Sequence, residues 1–253
     1  MIGGSYMIAQ QSRVPLLMAP EEVEIRDIET QLGKTRVFWL RPHLKNEKPP
    51  LVLLHGWAAG AGCFFRNVKG LAPERSVLMI DLPGFAESDR PEFSDQPEED
   101  WVKALAEVFD AEIDDKFWLA GHSFGGYLAA RICLEENTRI SGLILMDAWG
   151  FKEMDTTFEE RLGRLKLWQR CLYHVFKPLN LTGLDALRVV PTSVGASLIK
   201  WARKDLKSTY GDEFLDYICD INSRGPVSYI VSSSIYPIDS NIEILVSKII
   251  INL

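Results

Sequence analysis

Long hydrophobic runs are missing from this chain. Nowhere do about 18 uncharged apolar residues follow one another, the length a helix needs to cross a bilayer. Residues 1–11 hold no basic segment leading into a long apolar one. The expected protein is therefore cytoplasmic and does not span a membrane. Positive charge is also short: 28 Lys and Arg stand against 35 Asp and Glu, a formal net charge of −7. Phosphate polymers are recognised by clustered Lys and Arg, so nucleic acid is excluded as an expected partner. The four cysteines, Cys63, Cys133, Cys171 and Cys219, form no Cys-x-x-Cys pair and sit among apolar neighbours. That is how small core residues read, and neither a disulfide framework nor a metal site is expected. The glycines from Gly56 to Gly62 miss the Gly-x-Gly-x-x-Gly spacing, so no dinucleotide or other cofactor is expected. Histidine runs out early, with none between His174 and Leu253.

What the chain does hold is enough apolar material for one large core: 47% of 253 residues are hydrophobic and 25% are charged. Residues 23–30 alternate at the strand period, which fits a half-buried edge strand, and residues 35–40 read as a second strand. Beyond Pro49-Pro50 the pattern changes. Leu51–Leu54, Val77–Ile80, Phe117–Ala120 and Leu143–Met146 are short unbroken apolar runs separated by helical-length segments. Parallel strands buried on both faces read this way, so the expected fold is α/β with a largely parallel sheet.

Each of these runs ends in a polar or glycine-rich turn: His55-Gly56-Trp57, Asp81-Leu82-Pro83-Gly84, Gly121-His122-Ser123 and Asp147-Ala148-Trp149-Gly150. Ligands of open α/β sheets bind outside the carboxyl ends of the strands, which places the chemistry in one crevice shared by the four turns. The most specific is Gly121-His122-Ser123-Phe124-Gly125-Gly126, followed by a helix-forming run from Tyr127 to Ile132. A serine between glycines at a strand-to-helix turn is a nucleophile elbow, because small flanks such as Gly121 and Gly125 let the backbone turn sharply enough to lift the hydroxyl above the sheet. Ser123 is the candidate nucleophile.

These motifs, with Ile80-Asp81-Leu82-Pro83-Gly84-Phe85-Ala86-Glu87-Ser88 and Trp149-Gly150-Phe151, resemble the α/β-hydrolase fold. More narrowly, the chain from about Arg36 to Val231 is similar to the abhydrolase-domain 4 and 5 group. That group comprises a lysophospholipase acting on N-acyl-phosphatidylethanolamines and a lipid-droplet coactivator of triglyceride lipase. The coactivator branch carries asparagine at the elbow, so Ser123 aligns this chain with the hydrolytic branch. The resemblance implies a core over residues 23–150, a helical cap over 151–222 and a partial return to the core over 223–253. It makes the backbone N–H groups of Phe124 and Trp57 the oxyanion hole, and Asp239, in Ile238-Asp239-Ser240, the triad acid; Asp147, which ends a strand in the same crevice, is the rival acid. The group's histidine belongs to a strand and helix beyond the acid, and this chain ends fourteen residues after Asp239. A C-terminally truncated form with little or no hydrolysis is the resulting expectation.

The implied activity is hydrolysis of lipid acyl esters through an acyl-enzyme on Ser123, the substrate being a lysophospholipid or an N-acyl-phosphatidylethanolamine. A lysophospholipid acyltransferase and a noncatalytic regulator of lipid metabolism are the alternatives. Lipid substrates imply peripheral contact with a membrane or droplet, at lipid droplets, mitochondria or endoplasmic reticulum. Trp168 and Trp201 could rest on such a surface or pack within the cap. For the remaining polar residues the expected roles are structural: His122 and His174 in packing, His55 in shaping the turn before Trp57, and Asp81 and Asp89 in holding the loop they bracket through side-chain to backbone hydrogen bonds.

Overall fold

The computed structural model describes residues 23–40, 48–91, 97–135 and 139–150, together with residues 163, 167, 214, 215, 217, 218 and 221. The strands are β1 (Val23–Thr30), β2 (Gly33–Leu40), β3 (Leu51–Leu54), β4 (Val77–Ile80), β5 (Phe117–His122) and β6 (Ile140–Met146). They form one sheet in the order β1-β2-β4-β3-β5-β6. The β1–β2 hairpin and the β2–β4 pair are antiparallel, while β3–β4, β3–β5 and β5–β6 are parallel. The helices are α1 (Phe65–Leu71), α2 (Pro97–Glu112) and α3 (Phe124–Leu134), with a 3-10 turn at Ala61–Phe64. The expected α/β architecture with a mostly parallel open sheet is the one observed. Strand β5 runs two residues past Ala120 because Gly121 and His122 pair with Leu145 and Met146 of β6.

The unbroken apolar runs have a direct packing cause. Alternate residues of the central strands enter two separate cores. Val52, Leu54, Leu78, Ile80 and Leu119 pack with α2 and α3. Leu51, Leu53, Val77, Met79 and Ala120 pack with the 3-10 turn, α1, Tyr217 and Ile221. With both faces covered, no position on β3 or β4 meets water, and all eight side chains are buried. Strand β1, at the sheet edge, keeps a mixed exposure pattern. Helix α2 aims Trp101, Ala104, Leu105, Val108 and Phe109 at the sheet with helical spacing. Glu98, Glu99 and Asp100 in its first turn complement the helix dipole.

Two ion-pair groups fasten the antiparallel edge. Arg36 on β2 bridges Asp27 on β1 (2.6 Å) and Glu87 in the turn after β4 (2.7 Å). Arg26 on β1 pairs with Glu112 at the end of α2 (3.1 Å). Hydrogen bonding to Asp27 holds the Arg36 guanidinium well above its usual range. Cys63 and Cys133 are free thiols, and burial pushes them up to about 11 and about 12. Both behave as the apolar fillers expected of them, while Cys171 and Cys219 lie outside the described residues. Among the described residues no helix is long and apolar enough to cross a membrane.

Leu119 lies at the centre of β5, fully buried in the core beneath α2 and α3. Leu119→Ala is expected to cost about 2–5 kcal/mol through lost transfer energy and a cavity. Urea denaturation should show a lower midpoint at unchanged slope.

Candidate active site

The parallel register brings the ends of the central strands level. Leu54 pairs with Ile80 on one side and Gly121 on the other, and His122 pairs with Met146. The four turns that follow therefore open on the same edge of the sheet. Ser123 sits at the junction of β5 and α3 with φ 51 and ψ −115, a conformation L side chains rarely adopt. Such backbone costs about 1–3 kcal/mol and persists only where its surroundings enforce it. Three backbone hydrogen bonds do so. The Ser123 N–H donates to Met146 O (3.0 Å), and Ser123 O accepts from Tyr127 N–H (3.1 Å) and Trp149 N–H (3.0 Å).

The flanking glycines are a matter of space. A Cβ on Gly121 would stand 2.2 Å from Gly125 O, and one on Gly125 would stand 2.4 Å from Leu54 O. Backbone cannot yield as a flexible side chain can, so β5, α3 and β3 approach this closely only without those carbons. A Cβ on Gly56 would lie 3.2 Å from Ser123 Cβ, which places the turn carrying Trp57 directly against the serine. Phe124 occupies the first helical position of α3, where the N–H has no partner four residues earlier. The Phe124 and Trp57 rings stand 5.3 Å apart. The expected donor residues, Trp57 and Phe124, are thus neighbours of Ser123 and of each other.

His55 and Asp81 tie the turn after β3 to the turn after β4. Leu82 N–H donates to His55 Nε2 (2.9 Å), so that nitrogen carries no proton, and Nδ1–H donates to Gly56 O (2.7 Å). Burial drives the ring down to about 4, and it is held neutral. Asp81 Oδ1 accepts from Ala61 N–H (2.7 Å) and Oδ2 from Glu87 N–H (3.0 Å). Burial pushes this carboxyl up to about 7, against the pull of the two amides. Asp89 Oδ2 accepts from Lys34 N–H (2.9 Å). The structural roles expected of His55, Asp81 and Asp89 match these bonds. His122 is exposed beside Gly56, with Nδ1 3.0 Å from the position of a Gly56 Cβ. Asp147 is exposed at the end of β6 with φ 45, one strand from Ser123. Asp239, His174, Trp168 and Trp201 lie outside the described residues, as does most of the 151–222 segment expected to form a cap.

An aromatic cluster, buried except for Trp57 and the half-buried Trp149, packs behind the turn that bears Trp57. Trp57 is 38% exposed and meets Phe85 (5.0 Å), Phe124 (5.3 Å) and Trp101 (6.3 Å) edge to face. Tyr127 joins Phe124 to Trp149. Phe85, Trp101 and Tyr127 come from three different elements, and no spacing in the sequence signals that they converge. Among the described residues no group of His, Cys, Asp and Glu could hold a metal ion.

Residues 49–189 match the family described as alpha/beta hydrolase fold. The chain belongs to this family. Its relatives include Abhydrolase domain-containing protein abhd-5.2 of Caenorhabditis elegans, 36% identical over 79% of this chain and 46% of that protein. The 1-acylglycerol-3-phosphate O-acyltransferase ABHD5 of Rattus norvegicus is 37% identical over 73% of this chain and 54% of its own length. The (Lyso)-N-acylphosphatidylethanolamine lipase of Homo sapiens is 31% identical over 72% of this chain and 54% of its length. The chain spans about half the length of these curated relatives. An esterase from Exiguobacterium antarcticum shares the fold at a TM-score of 0.57 and 18% identity, over 83% of this chain and 72% of that one. Naproxen esterase from Bacillus subtilis does so at 0.55 and 18%, over 81% and 64%.

Within this hydrolase fold buried His55 and buried Asp81 set opposite pH slopes. Between pH 6.5 and about 4 an unfolded histidine binds a proton that folded His55 refuses, so acidification removes up to about 3 kcal/mol of stability. Folded Asp81 holds its proton up to about 7 where the unfolded carboxyl releases it near 3.8, so its contribution is lost as pH rises through that window. The slopes oppose each other, and stability should stay nearly level from about pH 6.5 to 4. Asp81→Asn leaves the His55 slope alone, and its urea midpoint should fall steadily with acidification. A level profile in that variant would refute the assignment. At the elbow, Gly125→Ala should cost more than about 3 kcal/mol because its Cβ meets two carbonyl oxygens, those of Leu54 and His55. Thermal unfolding would register this as a large drop in Tm or a failure to fold.

Proposed function

We propose that the chain carries an acyl-transfer site in which Ser123 is the nucleophile, acting on acyl esters of lipids. The observation behind this reading is the strained Ser123 backbone, at φ 51, set between glycine-permitted contacts and facing the turn that bears Trp57. Strain at a non-glycine residue that three hydrogen bonds maintain has no structural use a glycine would not serve better.

In the proposed reaction Ser123 Oγ attacks the ester carbonyl carbon, and a general base takes the hydroxyl proton. The carbonyl oxygen becomes an oxyanion, which the Phe124 and Trp57 N–H groups stabilise, each by about 3–4 kcal/mol. The N-terminus of α3 adds the positive end of its dipole. The C–O bond then breaks, the alcohol leaves with the proton, and the acyl group stays on Ser123. Water attacking this acyl-enzyme gives a hydrolase, and a lysophospholipid hydroxyl gives an acyltransferase. The exposed Trp57 ring, backed by buried Phe85, Trp101 and Phe124, supplies an apolar surface for an acyl chain. Lipid substrates and peripheral contact with a lipid surface are proposed from the relatives, a lipase and an acyltransferase by name.

The base and acid complete this reading. His55 is unavailable as base because both ring nitrogens are engaged. Asp239 is the proposed acid, and Asp147, exposed beside the serine, is the alternative.

A fluorophosphonate probe tests the nucleophile without requiring turnover. The expected result is covalent labelling mapped to Ser123 and abolished by Ser123→Ala. In unlabelled protein, release of fatty acid from lysophospholipid that Ser123→Ala abolishes supports the hydrolase, while Ser123-dependent transfer of acyl groups to 1-acylglycerol-3-phosphate supports the acyltransferase. No labelling of a folded protein would overturn the nucleophile and leave the noncatalytic reading.

A further inference from the structure

Resting on the reading of Ser123 as nucleophile, we infer that Asp81 and Tyr217 are positioning residues that clamp the Gly56–Gly62 loop so that the Trp57 N–H faces the serine. The loop has little reason of its own to hold that shape. It carries Gly56, Gly60 and Gly62, and Ala58 adopts φ 54, where a side chain is disfavoured. Within the loop the Ala59 N–H donates to Gly56 O at 3.2 Å, which closes a single turn. The conformation must therefore be imposed from outside.

Side-chain bonds grip both ends. At the start, His55 spans from Gly56 O to Leu82 N–H. At the far end the Ala61 N–H donates to Asp81 Oδ1 (2.7 Å) and the Gly62 N–H donates to the Tyr217 hydroxyl (3.0 Å). Asp81 and Tyr217 are both buried, so an amide released from either finds no water in its place. The fit is also steric. A Cβ on Gly60 would stand 2.4 Å from the Tyr217 hydroxyl, and one on Gly62 would stand 2.6 Å from Tyr217 Cζ, so the loop lies flat across the tyrosine edge. Tyr217 is 155 positions from Gly62 in sequence, which makes this contact a link between the late helical residues 214, 215, 217, 218 and 221 and the turn that bears Trp57. An oxyanion donor displaced by a fraction of an ångström loses much of its value in the transition state while ground-state binding barely changes.

The test uses the full chain with Tyr217→Phe, Asp81→Ala, the double variant, and Val108→Ala, on the buried face of α2, as a control of comparable instability. Fluorophosphonate labelling is followed over a range of probe concentrations, with amide exchange of the 56–62 peptide measured on the same samples. The expected result is a limiting labelling rate lowered about tenfold in each single variant, with an unchanged half-saturating concentration. The double variant should fall little further, since both side chains hold one loop. Exchange at 56–62 should quicken in the three loop variants and not in Val108→Ala. Unchanged limiting rates, or an equal fall in Val108→Ala, would overturn the positioning role while leaving Ser123 as nucleophile. Absence of labelling in the unsubstituted chain overturns the proposed function instead. Exchange then decides the clamp by itself, and an unaltered 56–62 peptide refutes it.

Discussion

The site depends on a steric constraint: β5, α3 and β3 approach one another so closely at Gly121 and Gly125 that no side-chain carbon fits between them. This contact sets the angle at which the chain leaves the sheet and enters α3. It forces Ser123 into positive φ and lifts the hydroxyl onto the sheet edge. The strain is offset by bonds from Met146, Tyr127 and Trp149, so the turn after β6 is as much a part of the elbow as the glycines are. Gly126, whose Cβ would meet Ala148 Cβ at 2.6 Å, completes that packing.

Around this point the molecule uses buried polar groups in place of mobile ones. His55 and Asp81 lie fully out of water, each with backbone amides for partners, and each joins the loop after β3 to the loop after β4. Their titration runs in opposite directions because burial penalises whichever form is charged, the imidazolium in one case and the carboxylate in the other. Such groups are poorly suited to proton transfer with a substrate and well suited to holding loops still. The fold separates its supports from its reacting atoms.

Much of the architecture was legible in sequence for a simple reason. A strand covered on both faces must be apolar at every position, and Leu51–Leu54 and Val77–Ile80 have the bounds their hydrophobicity suggests. Strands β5 and β6 extend beyond their apolar runs because ladder pairing, which is blind to side-chain polarity, carries Gly121 and His122 along at the end of β5 and Ile140 and Gly142 at the start of β6. Helix α2 announces itself only weakly, and its apolar face becomes plain once Trp101, Leu105 and Val108 are seen against the sheet.

The residue order already dictated a buried parallel sheet, a serine raised between glycines and a set of turns at one edge, since these follow from local sterics and hydrophobic period. It was silent on what meets across that edge. Tyr217 beneath Gly62, Trp101 against Phe124, and Leu82 N–H donating to His55 Nε2 are contacts between residues far apart in the chain. Long-range packing chooses such partners by shape and by the need to pair every buried amide, and that information resides in the assembled fold.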